Sequence, residues 1–132
     1  MGKFGKAAAR ATELMVAGKC GAATEAWQDA VRSEFPGKVD AQRKSCPKAA
    51  YLGLCEEGLV VGVRGADCAA GAENKAYAIE AVHLLQGEPA LADAGQAALW
   101  RRVMNGRKKE HNHQMDVVLT LWVQGLITRG RR

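Results

Sequence analysis

The chain has 132 residues, 48% of them hydrophobic, the size of one ordinary domain with enough apolar material to bury a core, so composition excludes a wholly disordered chain. Its net charge of +5 can serve solubility alone, and no run approaches the ~18 uninterrupted apolar residues of a membrane span, so no membrane association is expected. MGKFGKAAAR meets charge early and lacks the apolar segment and cleavage site of a secretory signal, which makes a cytoplasmic protein the expectation.

Hydrophobic spacing is helical almost throughout. Phe4, Ala7, Ala8, Ala11, Leu14 and Met15 fall on one face of a first helix that Gly18 ends. Thr24 is placed to cap a second, whose stripe runs through Ala26, Trp27, Ala30, Val31 and Phe35 to Pro36 and Gly37. The polar stretch GKVDAQRK follows. Ser45 then stands as cap of a third helix with Pro47 in its first turn, and AYLGLC is apolar on nearly every side before Gly58, the pattern of a helix in the middle of a fold.

The glycines of VVGVRGADCAAGA, residues 60 to 72, break any period, which predicts a connector with a short extended piece. A fourth helix carries Ala78, Ile79, Val82 and Leu85 and stops at Gly87 and Pro89. A fifth carries Leu99, Trp100, Val103 and Met104 and stops at Gly106. The last, with Met115, Val117, Val118, Leu119, Leu121 and Trp122, is again apolar nearly all round and closes at Gly125.

The halves resemble each other. KAAARATELMVAG, residues 6 to 18, aligns with KAYAIEAVHLLQG, residues 75 to 87, at an offset of 69. YLGLCEEGL from 51 aligns with VLTLWVQGL from 118 at an offset of 67, and Trp27 and Trp100 hold matching places between. The same order of matches argues for a duplicated three-helix unit, residues 4–59 and 73–127, followed by a basic tail at 128–132. The expected fold is all-α: about six helices, as two pseudo-symmetric three-helix units packed into one compact bundle. Each unit has one almost wholly apolar helix that three helices cannot cover. At about 25 cal/mol per Å2 of apolar surface, burying the two against each other outweighs any cap or exposed ion pair.

HNHQMD, residues 111 to 116, holds the polar groups most suited to chemistry. Asn112 is expected to cap the last helix, with Asp116 in its first turn favoured by the helix dipole. His111 and His113 are two apart, which puts them on different helix faces and matches no zinc spacing; neither a metal nor a cofactor is expected. Helix starts gather unpaired N–H groups that suit anions, so Lys48, Asn74, Lys75, His111, Asn112, Gln114 and Asp116 form a candidate ligand-binding cleft for a small anion. Tyr51 and Tyr77 read as core-edge aromatics with wet hydroxyls, and His83 as a half-buried packing residue. Glu56 and Glu57 diverge on a helix and are expected to be solvated. No nucleophile elbow, phosphate loop or dinucleotide fingerprint is present, and no catalytic residue is assigned.

Cys20, Cys46, Cys55 and Cys68 have no metal-ligand spacing and read as reduced, mostly buried small apolar residues. Arg101, Arg102, Arg107, Lys108 and Lys109 with the Arg129, Arg131, Arg132 tail supply much of the positive charge. Contact of these with nucleic-acid phosphates is an alternative; sequence-specific reading is not expected, because the third helices that would do it are apolar nearly all round.

MGKFGKAA, CPKAAYLGLCEEGLV, NKAYA and HNHQMDVVLTLW with QGLI together resemble a family of small bacterial proteins of unknown function found as stand-alone chains. The resemblance covers nearly the whole chain, least so residues 60 to 71 and the RGRR tail. It implies a bacterial, intracellular, single-domain protein and no particular activity. The function expected from the residues is that of a non-enzymatic protein-interaction module, with Trp27 or Trp100 as anchors if they are exposed. An enzyme or small-anion-binding protein using the polar cleft is the alternative, and a nonspecific nucleic-acid accessory protein a further one.

Overall fold

The computed structural model describes residues 2–63 and 72–128; Cys68, Arg129, Arg131, Arg132 and most of the predicted connector lie outside them. Among the described residues there are eight helices and no strand: α1 (Lys3–Val16), α2 (Ala23–Glu34), α3 (Val39–Gln42), α4 (Ser45–Glu56), α5 (Ala72–Gly87), α6 (Leu91–Ala94), α7 (Gln96–Met104) and α8 (Gln114–Val123). The all-α fold follows the hydrophobic period. The six predicted helices are α1, α2, α4, α5, α7 and α8; α3 and α6 are single turns of four residues each, too short for a period to show in sequence.

The two oily helices are where their composition demands. Every residue of α8 from Gln114 to Leu121 is buried, and α8 packs against α1, α4, α5, α6 and α7. Helix α4 is buried from Ala49 to Cys55 and packs against α2, α5 and α8. Both end alike. Gly58 and Gly125 take left-handed φ of 76° and 73°, a conformation glycine adopts without a Cβ penalty. That turn lets Leu59 N–H reach back to Leu54 O at 2.9 Å and Leu126 N–H to Leu121 O at 2.8 Å.

The two chain segments leaving these helices pair. Val60, at the start of the 60–72 connector expected to hold a short extended piece, forms an isolated antiparallel bridge with Ile127. Val61 N–H donates to Leu126 O and Thr128 N–H to Leu59 O, each at 2.8 Å, and the two bonds exchange with each other under the 67-residue offset.

Two crossings are close enough to need glycine. A Cβ on Gly5 of α1 would stand 2.7 Å from Asp116 O of α8 and closer still to the Thr120 hydroxyl. One on Gly53 of α4 would stand 2.6 Å from Lys75 Cβ of α5. Small residues at these points let α1 lie on α8 and α5 on α4 with backbones nearly in contact.

Several local expectations are corrected. Trp27 is 1% and Trp100 7% exposed, so neither is a surface anchor. Trp27 stacks on Tyr51 at 5.4 Å, its indole N–H without a hydrogen-bond partner among the described residues, while Trp100 donates from Nε1 to Lys109 O at 2.9 Å. Tyr51 is not at a wet edge: it is fully buried, and its hydroxyl meets Thr12 Oγ1 at 2.9 Å while Thr12 donates to Ala8 O. Burial is the main cause that pushes the Tyr51 phenol far above its ordinary range. Tyr77 is buried at 7% exposure, and His83 is exposed rather than half-buried. Because the Thr12 hydroxyl already donates to Ala8, Tyr51 must donate to it, and Tyr51→Phe leaves that oxygen with one partner fewer. The expected cost is about 1 kcal/mol, read from the urea midpoint at unchanged slope.

The predicted caps also differ. Helix α2 begins at Ala23 with Ala22 at the cap position, Ser45 is inside α4 with Lys44 before it, and α8 is preceded by His113; none of these cap positions makes a side-chain cap bond. Thr24, Ser45 and Asn112 are therefore not N-caps. Glu25 serves the start of α2 instead, accepting Gly21 N–H at 3.2 Å.

Candidate functional site

The segment between α7 and α8 turns twice through left-handed backbone. Asn105 has φ 49°, which asparagine tolerates better than most residues, and His113 has φ 68°, its ring 4.7 Å from that of Phe4. Between them the chain delivers HNHQMD to the start of α8. Met115 N–H donates to His111 Nε2 at 3.0 Å, so His111 supplies the cap expected of Asn112. Gln114, 1% exposed, accepts Asn112 N–H on Oε1 at 2.6 Å and donates from Nε2 to Asn74 Oδ1 at 2.9 Å. Asn74, His111, Asn112 and Gln114 thus come together in one network joining α5 to α8.

Asp116 is turned the other way. Its carboxylate, 2% exposed, accepts Gly2 N–H on Oδ1 and Gly5 N–H on Oδ2, both at 2.9 Å, with Gln96 Nε2 and Thr120 Oγ1 each at 3.4 Å. A negative group at the start of α1 satisfies N–H groups that lack helical partners and complements the positive end of its dipole. Gln96, Gly2 and Gly5 were not part of the expected cleft, and nothing in local spacing points to contacts more than 100 residues away.

Lys75 is separated from this network. It pairs with Glu56 at 2.9 Å and Glu57 at 3.5 Å, and the Glu56 hydrogen bond first, then the two charges, raises its pKa. The acidic pair is exposed as expected, yet engaged. Lys48 is half-buried and forms no hydrogen bond or ion pair among the described residues. None of the seven candidate ligand residues lines any of four clefts on the described surface. His111 and Asp116 hold helix starts, Asn74, Asn112 and Gln114 bond one another, and Lys75 is taken up by Glu56 and Glu57.

His111 gives this network a pH dependence. Its Nε2 accepts a hydrogen bond only when the imidazole is neutral, and burial first, then His113, lowers its pKa from the usual 6.5. With a folded pKa below the unfolded one, the unfolded chain binds the proton more readily. The stabilisation is therefore complete above 6.5 and lost as pH falls through the window between the two values. The melting temperature should drop as pH falls below about 6.5, and His111→Gln should flatten that slope.

The basic residues occupy a surface of their own. Arg101, Arg102, Arg107, Lys108 and Lys109 are all exposed, at the end of α7 and in the loop after it. Arg102 meets Glu88 at 3.3 Å and Lys109 bonds Glu73; Arg101 and Lys108 face solvent without an ion pair among the described residues. The Lys109 contact is the main cause that lowers the Glu73 pKa, while burial first, then the nearby Glu73 carboxylate, raises that of Tyr77.

Arg107 is held most firmly. Its Nε donates to Met104 O at 2.9 Å and Nη2 to Val103 O at 2.7 Å, and the guanidinium lies 5.6 Å over the Tyr77 ring. Two adjoining clefts share it. One, of about 440 Å3, lies between α5 and α7 with Tyr77, Leu84, Val103 and Arg102; the other, of about 420 Å3, includes Trp100, Arg101, Met104 and Lys108.

Among the described residues no three His, Cys, Asp or Glu side chains group as a metal site would require, and no helix is long and apolar enough to cross a membrane. Residues 1–128 match a family described as "Family of unknown function (DUF6979)". No curated protein matches the chain, and no solved structure does.

Proposed function

We propose, for a chain that belongs to the DUF6979 family of unknown function, a non-enzymatic role as an interaction module that binds an acidic partner protein through the basic face of α7 and the loop after it. One observation carries the reading. Five exposed cations fall within residues 101–109 and border two clefts that meet at Arg107, whereas the polar groups around the start of α8 are already engaged in capping. A small-anion site at the helix starts would have to break those caps.

Bacterial and cytoplasmic residence is part of the same proposal: the family resemblance implies the first, and the unbridged thiols of Cys20 and Cys46 among the described residues suit the reducing compartment of the second. The duplicated three-helix unit is likewise our inference, supported by the exchange of the Val61–Leu126 and Thr128–Leu59 bonds under one offset. Nucleic-acid phosphates would meet the same cations, and that second reading is separated by experiment. Titration of labelled polyglutamate and of unrelated duplex DNA across a salt series should show salt-sensitive binding of the former. The double substitution Arg101→Glu with Lys108→Glu, at exposed positions, should weaken it about tenfold or more. Unchanged binding by the double variant, or tighter binding of DNA, would refute the proposal.

A further inference from the structure

We infer that the α5–α7 groove seats a short helical segment of the partner, one that presents an apolar side chain flanked by carboxylates; the inference rests on the basic-face reading and sharpens it. The groove has two chemistries in register. Tyr77, Leu84 and Val103 give an apolar floor, and Arg102, Asn105 and Arg107 give a polar rim. Tyr77 and Leu84 are seven residues apart on α5, about 10 Å of helix, the span over which a docked helix presents two of its turns.

The cations are suited to exchange. Arg107 is fixed by two carbonyls and the Tyr77 face, so a partner carboxylate meets a preorganised charge and loses little side-chain entropy. Its Nη1 makes no hydrogen bond among the described residues. Arg102 holds Glu88 in an exposed pair that contributes little and is readily replaced.

Glu80 decides between classes of partner. It lines the same groove, within a few residues of Tyr77 and Leu84. A nucleic-acid backbone carries charge at every step, about one per 3.4 Å of strand, and cannot leave a gap opposite a carboxylate. A protein segment can place acids against Arg102 and Arg107 and an apolar side chain between them, so that Glu80 acts as a repulsive selector of register.

The test uses the full chain and three fluorescent probes: an acidic peptide with leucines at helical spacing, the same peptide with serines for leucines, and duplex DNA. Anisotropy at physiological salt should show the leucine peptide binding at least tenfold tighter than the serine peptide. Leu84→Ser should remove most of that difference. Glu80→Lys, at an exposed position that leaves the core untouched, should tighten the leucine peptide severalfold. Equal binding of the two peptides, or a Glu80→Lys variant with unchanged or weaker affinity, overturns the groove assignment. If binding is still lost on Arg101→Glu with Lys108→Glu, the basic-face reading survives that result. If neither peptide binds, or DNA binds tighter than both, the two fall together.

Discussion

Gly5→Ala is expected to destabilise the fold by about 3 kcal/mol or more, lowering the thermal midpoint by roughly 10 °C. The added methyl would stand 2.7 Å from Asp116 O and inside the Thr120 hydroxyl. Both α1 and α8 are buried along this line, so relief requires moving one helix off the other rather than rotating a side chain. Shifting α1 would also strain the bonds from Gly2 and Gly5 to Asp116. Gly53→Ala should behave alike, since its methyl would be 3.0 Å from Lys75 Cα as well as 2.6 Å from Cβ. Gly21→Ala is the control: nothing lies within 4 Å of its Cβ position, and the change should stay within about 0.5 kcal/mol. Equal midpoints for the Gly5 and Gly21 variants would contradict the packing of α1 on α8.

Asp116→Ala is the second large effect, about 3 kcal/mol in urea unfolding. It removes the acceptor for Gly2 N–H and Gly5 N–H, one of them buried, and the negative group at the positive end of α1. Asp116→Asn, which keeps one acceptor oxygen and sets an NH2 against the other N–H, should lose about half as much as the alanine variant. Hydrogen exchange locates the effect: the first-turn amides of α1 should lose protection in both variants while the α4 amides keep theirs relative to global stability. Uniform loss across both helices would mean that Asp116 contributes to general packing and not to the cap.

Much of the fold is legible because periodicity is a local property. The stripe from Phe4 to Met15 and the near-continuous apolar runs of α4 and α8 state which faces leave water, and Gly58 and Gly125 mark where those helices stop. Caps were less legible. Thr24, Ser45 and Asn112 have the right chemistry, yet His111, from outside the helix, took the place expected of Asn112 and Glu25 met the chain entering α2. A hydrogen bond goes to the acceptor that geometry brings within reach, and a single position cannot tell which competitor arrives.

The candidate site divides the same way. Asn74, His111, Asn112 and Gln114 were legible as neighbours because both segments open helices that must pack together. Their engagement with one another was not, and neither was the turning of Lys75 toward Glu56. The exposed cations were plain in the sequence, but the groove that gives them a shape needs α5 and α7 side by side, which brings Tyr77 under Arg107 from 30 residues away.

By itself the sequence determined the helical class, the two apolar helices at the centre, the glycine stops and the basic surface, since each depends on residues a few positions apart or on composition. Only the tertiary structure decided that Asp116 closes the start of α1, that Trp27 and Tyr51 stack out of reach of water, and that Arg107 is locked over Tyr77. Those facts depend on which surfaces meet. The hydrophobic effect that drives the meeting is non-directional, so it fixes what is buried while leaving the pairing of polar atoms to the detailed fit of the helices.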